Sequence, residues 1–261
     1  MPSNTGERIR TIVSAVAAGG VIGLWFLLTR LTLVWLPFVL LAVWAIFLGV
    51  AQYRIIRLHH GQFQTVPLTI FIILAATALI SVIETPALIF GIMALGGGMV
   101  GHLFWLALSP QSQSSPEYKP IRRIFTIYWV FTAYGLSTAT FAWHLFFPTI
   151  SFIVLACLIG LWCMIATGMI WSLYFFQFSK AHLYWLLIFG FCMAEFAWII
   201  HQLPFGYLVS GFLSSWLWYL LQLFGRFHLT PQGVLWGKQR WFLLANIVLY
   251  LLVMGFYIRW V

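Results

Sequence analysis

Residues 68–104 read LTIFIILAATALISVIETPALIFGIMALGGGMVGHLF, and their 37 positions hold one charged side chain, Glu84. As a single straight helix this stretch would be about 55 Å long, at 1.5 Å per residue. The hydrocarbon core of a bilayer is only about 30 Å thick and is crossed by roughly 20 residues. The run is therefore read as two helices meeting at Glu84-Thr85. Pro86 supplies the reason for the break: inside a helix its ring would clash with the preceding turn and remove a hydrogen bond. In a first turn, where the N–H has no intrahelical partner, it fits well.

The same reading extends outward in both directions. Apolar runs at 11–29, 32–52, 66–84, 86–108, 122–146, 148–175, 183–203, 205–225 and 241–259 are expected to be transmembrane helices. Two kinds of connection alternate between them. Thr29–Leu31, Glu84-Thr85, Phe147-Pro148 and Leu203-Pro204 are very short, and Pro37, Pro86, Pro148 and Pro204 are expected in the first turns of the returning helices. The segments 52–65, 109–121, 177–182 and 226–240 are longer and basic. The expected fold is an all-α polytopic bundle of about nine helices, four hairpins and a closing helix, in one transmembrane domain spanning 1–261. The Ser/Gln/Pro-rich stretch 109–121 reads as a flexible connector.

Composition supports this class. Hydrophobic residues make up 63% of the 261 positions and charged residues 7%, against about 25% charged in a soluble domain. A chain this apolar has too little polar surface to cover itself in water. The formal charge of +9 does not form an extended basic face, so no nucleic-acid partner is expected. Eleven of the thirteen Lys and Arg fall in the N-terminal segment, in the long connections or, as Arg122 and Arg123, directly beside one, and only Arg30 and Arg259 fall on the other side. By the positive-inside rule the N-terminus is cytoplasmic and the C-terminus outside. Arg54, Arg57, Arg122 and Arg123 are expected to meet anionic headgroups of the inner leaflet, with the segment 53–62 read either as a basic loop or as a short interfacial helix.

Arg8 and Arg10 before an apolar run superficially resemble a signal peptide. The small residues Ala15 to Gly20 precede the most apolar part instead of following it, so an uncleaved first helix is expected. The chain is placed as a multi-pass protein of the cytoplasmic (plasma) membrane. Cys157, Cys163 and Cys192 all lie in apolar runs without a CxxC pair, which gives no disulfide framework.

Helices in lipid associate through small residues at fourfold spacing. Ala15, Gly19 and Gly23 in the first helix, and Ala94, Gly97, Gly98 and Gly101 in the fourth, have that spacing, as do Ser210/Ser214 and Gly211/Ser215 in the eighth. Phe141-Ala142-Trp143-His144 before Pro148 is echoed by Phe196-Ala197-Trp198 and His201 before Pro204, with Trp162 and Trp218 fourteen residues beyond each proline. Duplication and chance recurrence of aromatics both account for this.

Of the four carboxylates, Glu7 and Glu117 fall in polar segments, and Glu84 sits at a turn where it favours the start of the next helix. Glu195 stands about twelve residues into the seventh helix. A charge at that depth costs on the order of 3 kcal/mol on insertion scales, so an intramembrane acid is a functional hypothesis by default. Its alternatives are a partner, water, or a protonated carboxyl hydrogen-bonded to a neighbouring helix. Trp198, Ile199 and Gln202 follow it on the same helix face at i+3, i+4 and i+7, whereas His201 points elsewhere, about 240° around. His144, His201, Gln202 and Glu84 are the candidate partners.

No catalytic residue and no metal site is assigned, because no HExxH, GxSxG, Walker or carboxylate-dyad pattern occurs. All three lysines fall in connections, so none is available for a buried Schiff base. No cofactor is expected; a haem held by His102 and His182 is the remaining option. Three functional readings follow. The first is a transporter or lipophilic-ligand-handling bundle using Glu195. The second is a non-catalytic subunit of a larger membrane complex with a membrane-protein partner. The third is an embedded enzyme using the Glu/His group, and the balance favours a non-enzymatic role.

Overall fold

The computed structural model describes residues 4–30, 35–59, 63–108, 118–175, 178–230, 233–234 and 236–257. Among these the chain is entirely helical: α1 (Asn4–Arg30), α2 (Trp35–His59), α3 (Thr65–Val82), α4 (Pro86–Ala107), α5 (Tyr118–Phe146), α6 (Phe152–Ser172), α7 (Lys180–His201), α8 (Tyr207–His228) and α9 (Trp236–Tyr257). Eight of the nine are long and apolar enough to cross a membrane, the composition of a helical membrane bundle.

The exception is α5, and its sequence shows why. Thr126, Thr132, Ser137, Thr138 and Thr140 lower its hydropathy, yet all five are buried. Three of the hydroxyls return to their own helix: Thr126 donates to Arg122 O (2.9 Å), Thr132 to Trp129 O (2.8 Å) and Thr140 to Leu136 O (2.7 Å). Back-bonding of this kind satisfies a hydroxyl where no water is at hand. Apolar Ile127 faces outward.

Of the four prolines, Pro86 starts α4 and Pro37 lies in the first turn of α2. Pro148 and Pro204 instead lie in the turns before α6 and α8, whose N-caps are Ser151 and Gly206. Three residues therefore separate Pro148 from α6 and two separate Pro204 from α8. At the other end of α2 the helix runs on through Arg54 and Arg57 to His59, and both arginines are exposed. The connector stretch 109–117 and residues 60–62 lie outside the described residues.

The chain divides into two compact units, Met1–Thr132 and Ala133–Val261. In unit 1, α1 lies along α4 and α2, and α3 lies along α2 and α4. Trp25 of α1 is fully buried. Its indole N–H donates to Thr77 Oγ1 of α3 (2.9 Å), and Thr77 in turn donates to Ile73 O (2.7 Å). Gly96 of α4 makes room for this ring: a Cβ there would stand 2.8 Å from it. Lower residual size at Gly97 and Gly101 lets α4 approach α1, where Ile22, Ala18 and the Ser14 carbonyl are the neighbours.

Unit 2 holds the second half of α5 with α6 to α9. The backbones of α6 and α7 come close together, and a Cβ on Gly160 would overlap the carbonyl oxygen of Gly190. Backbones this near gain van der Waals contact, which lipid-embedded helices depend on. Trp218 of α8 is fully buried and donates to Thr167 Oγ1 (2.9 Å) and Cys163 O (3.1 Å) of α6. Gly225 of α8 leaves space for Phe189 and Trp171, and Gly211 for Thr138 of α5. The outermost helix, α9, is joined to α8 by a bond from Trp216 Nε1 to Asn246 Oδ1 (3.2 Å).

Tryptophans near helix ends, where aromatic belts form at membrane boundaries, divide between surface and interior. Trp105, Trp198, Trp236 and Trp241 are exposed, but Trp25 and Trp129 are buried within unit 1. For Trp25 the reason is visible: the bond to Thr77 satisfies its N–H inside the protein. The paired Trp162 and Trp218 also differ, since Trp162 is only half-buried and its Nε1 has no partner among the described residues.

Candidate functional site

The α6–α7 crossing at Gly160 and Gly190 positions the site. One turn further along, toward the start of α6, the facing residues are Ala156 and Ala194, too short to fill the space between helices. The larger Ile153, Trp198 and Ile199 stand around them. The result is an open groove of about 410 Å³ whose lining is completed by Cys157 and Glu195. That volume lies within the range of about 300–1,000 Å³ typical of small-molecule sites.

Glu195 is the one ionisable carboxyl in this groove, and it is exposed. No hydrogen bond or ion pair joins it to another described residue. Trp198, one turn on, is 42% exposed and presents its indole to the same groove. Ile199 does so at i+4. The face predicted from helical spacing is therefore the face that lines the groove, whereas Gln202 is the exposed C-cap residue of α7.

His201 points away from that face, as its spacing requires. Its ring stacks on Phe152 of α6 at 3.7 Å between centroids, and His144 of α5 meets it edge-on at 4.6 Å. His144 also meets Phe152, at 5.3 Å. Phe152 lies 6.0 Å from the Trp198 ring, so the aromatic stack ends at the groove's edge. The two imidazoles thus engage each other and phenylalanine. Among the described residues no group of three His, Cys, Asp or Glu side chains is arranged to hold a metal ion. Glu84 is exposed at the turn before α4 and belongs to unit 1.

The two histidines of the haem option are each held locally. His102 Nδ1 is hydrogen-bonded to Tyr128 Oη (2.8 Å). His182 closes the N-terminus of α7, its Nδ1 accepting from the Ser179 backbone N–H (3.2 Å), in a capping box with Ser179 as N-cap. Phe175 packs edge-on against the His182 ring at 4.7 Å. Of the glycines singled out for packing, Gly97 and Gly101 meet α1, while Gly19, Gly23 and Gly98 have no atom within 4 Å of a would-be Cβ. Of the arginines expected to meet inner-leaflet headgroups, Arg54, Arg57 and Arg123 are exposed and Arg122 is half-buried.

Spacing within α7 finds Trp198 and Ile199, but the α6 wall of Ile153, Ala156 and Cys157 was not singled out from the sequence. The signal for it is the pair Ala156 and Gly160 at fourfold spacing, facing Gly190 and Ala194 at the same spacing. Two buried glutamines likewise emerge only from the structure. Gln52 of α2 and Gln222 of α8 are each almost wholly buried, and neither amide has a partner for its oxygen or nitrogen among the described residues.

Comparison with protein-family models, with curated proteins and with solved structures gives no match.

Proposed function

We propose that this chain is a lipophilic-ligand-handling protein of the cytoplasmic membrane, and that the α6–α7 groove takes an apolar molecule whose polar end meets Glu195. The observation that carries this is a lone carboxyl, exposed in a groove otherwise made of Ile153, Ala156, Cys157, Ala194, Trp198 and Ile199. A carboxyl exposed at membrane depth is costly unless something polar covers it. In this reading all nine helices cross, as four hairpins and a closing helix, with the N-terminus inside. The length of α5 and the burial of its hydroxyls support a ninth crossing. The groove then lies in the outer half of the bilayer and opens toward lipid. A transport cycle would use the same site for loading.

The test is purification of wild type and Glu195→Gln in native lipid, followed by mass spectrometry of retained small lipophiles. A compound held stoichiometrically by wild type and lost from a normally folded variant is expected. Identical retention in both would overturn the reading.

One observation favours the subunit alternative. The apolar window of α9, Gln239–Phe256, contributes no buried residue within the chain. A partner helix along α9 would be recovered by gentle extraction as a stoichiometric second protein, and a clean monomer removes that alternative.

A further inference from the structure

The charge and ring chemistry of the groove define its ligand more narrowly, given the ligand-handling reading above. We infer that the α6–α7 groove takes a single-chain amphiphile with a cationic, ammonium-type head. Three features of the lining lead there. Its one ionisable acid, Glu195, has no cationic partner, and no Lys, Arg or His contributes to the groove. A cation arriving from the membrane would pair with that carboxylate. Trp198 stands three residues away on the same helix face and is open to the groove. Carboxylate and indole side by side suit an ammonium group, which gains ion pairing from one and cation–π attraction from the other.

The other lining residues suit a hydrocarbon tail. Ile153, Ala156, Ala194 and Ile199 offer apolar contact without a hydrogen-bond donor or acceptor in their side chains. A groove of about 410 Å³ is at the small end of ligand sites, which fits one chain and not the two of a phospholipid. A zwitterionic headgroup is disfavoured for a second reason: its phosphate would find no cation in the lining. An anionic amphiphile would face Glu195 directly. The occupant is thus a membrane-dissolved cationic amphiphile, not a bulk lipid.

The test uses full-length protein in phosphatidylcholine nanodiscs and isotope-labelled dodecyltrimethylammonium. Binding above that of empty nanodiscs is measured alone and against unlabelled cation, dodecanol or dodecyl sulfate. Saturable binding is expected, with the unlabelled cation competing about tenfold better than the neutral alcohol, the scale of an ion pair with cation–π support. Dodecyl sulfate should compete least. Glu195→Gln should remove the preference for the cation yet keep binding of labelled dodecanol, and Trp198→Leu should weaken the cation selectively. Glu195→Asp, which keeps the charge, should retain part of the preference and shows that loss in the Gln variant is not misfolding. Equal competition by cation and alcohol would overturn the ligand class and leave the groove reading standing. Absence of saturable binding by any of the three would overturn both.

Discussion

Trp25 in unit 1 and Trp218 in unit 2 do the same work with the same parts. Each is a fully buried indole that donates to a threonine hydroxyl of another helix, Thr77 or Thr167. Each threonine donates in turn to the carbonyl four residues back in its own helix, Ile73 or Cys163, at 2.7 Å. Each unit also has a close glycine crossing, α4 on α1 or α6 on α7, and a buried glutamine. The units differ in what their crossings leave beside them. In unit 1 Trp25 fills the space against Gly96. In unit 2 the small pair Ala156 and Ala194 leaves the space open, with Glu195 on its edge. A shared way of fastening helices thus accompanies an open groove beside the α6–α7 crossing, and that groove is a property of residues next to the crossing.

The sharpest way to break this comparison is to add one methyl group at each glycine. Gly160→Ala drives a Cβ into the backbone of Gly190, which cannot move aside as a side-chain tip can. A loss of about 2–3 kcal/mol is expected, the upper range for overpacking, with a clear fall in thermal midpoint in detergent. Gly101→Ala places its Cβ 3.1 Å from the Ser14 carbonyl oxygen, so a smaller loss is expected. Gly19→Ala meets nothing within 4 Å and should be neutral. If Gly101→Ala matched Gly160→Ala, the two crossings would be equally tight and the distinction between the units would fail.

Next in size is the carboxyl itself. Glu195→Leu replaces an exposed acid in α7, a helix long and apolar enough to cross a membrane, by an apolar side chain. Stability of the protein in a bilayer should rise, on the order of 1–3 kcal/mol on insertion scales, while ligand retention disappears. Urea or heat unfolding in nanodiscs measures the first and mass spectrometry the second. A destabilised variant would mean that Glu195 holds the fold together, and a structural role would replace the binding one.

The buried glutamines sharpen the likeness between the units. Replacing an amide that lacks partners by an apolar group of similar size removes a desolvation cost of about 1–3 kcal/mol. Gln52→Leu and Gln222→Leu should therefore both stabilise, each by about 1 kcal/mol once packing losses are included. Unequal signs, read from unfolding midpoints, would show that one of the two amides has work the other lacks.

Much of this arrangement is legible in the sequence, and the reason is the strictness of the bilayer. All nine expected runs overlap observed helices, because a spanning segment must satisfy its backbone internally. The α7 face of the groove is likewise legible, since Trp198 and Ile199 follow Glu195 by helical spacing alone. What sequence does not give is the neighbour. Gly19 and Gly23 have the same spacing as Gly97 and Gly101, yet among the described residues only the latter pair meets another helix. The spacing describes a helix surface and not which helix covers it. The same holds for Trp25, where an aromatic near a helix end reads as a boundary residue until Thr77 is seen beside its N–H. Pro148 and Pro204 show a third limit: a proline marks that a helix cannot continue, but the turn's own residues decide how soon the next one begins.

The smallest expected effect bears most directly on the comparison. Trp25→Phe and Trp218→Phe each delete an indole N–H while keeping a large aromatic ring. The threonine hydroxyls keep their bonds to Ile73 O and Cys163 O, so neither variant leaves a buried donor unpaired. Only the interhelical bond is lost, and such bonds inside membranes average about 0.6 kcal/mol. Both variants should therefore lose about that much, with slightly more at Trp218, whose N–H also reaches Cys163 O at 3.1 Å. Removing the threonine instead should give the same answer from the other side: Trp25→Phe combined with Thr77→Val should cost little beyond the single changes, because the second change removes a partner already idle. A double-mutant cycle in each unit measures this coupling. Couplings of similar size would establish one fastening used twice, and a coupling found in only one unit would reduce the likeness to two tryptophans that happen to sit near threonines.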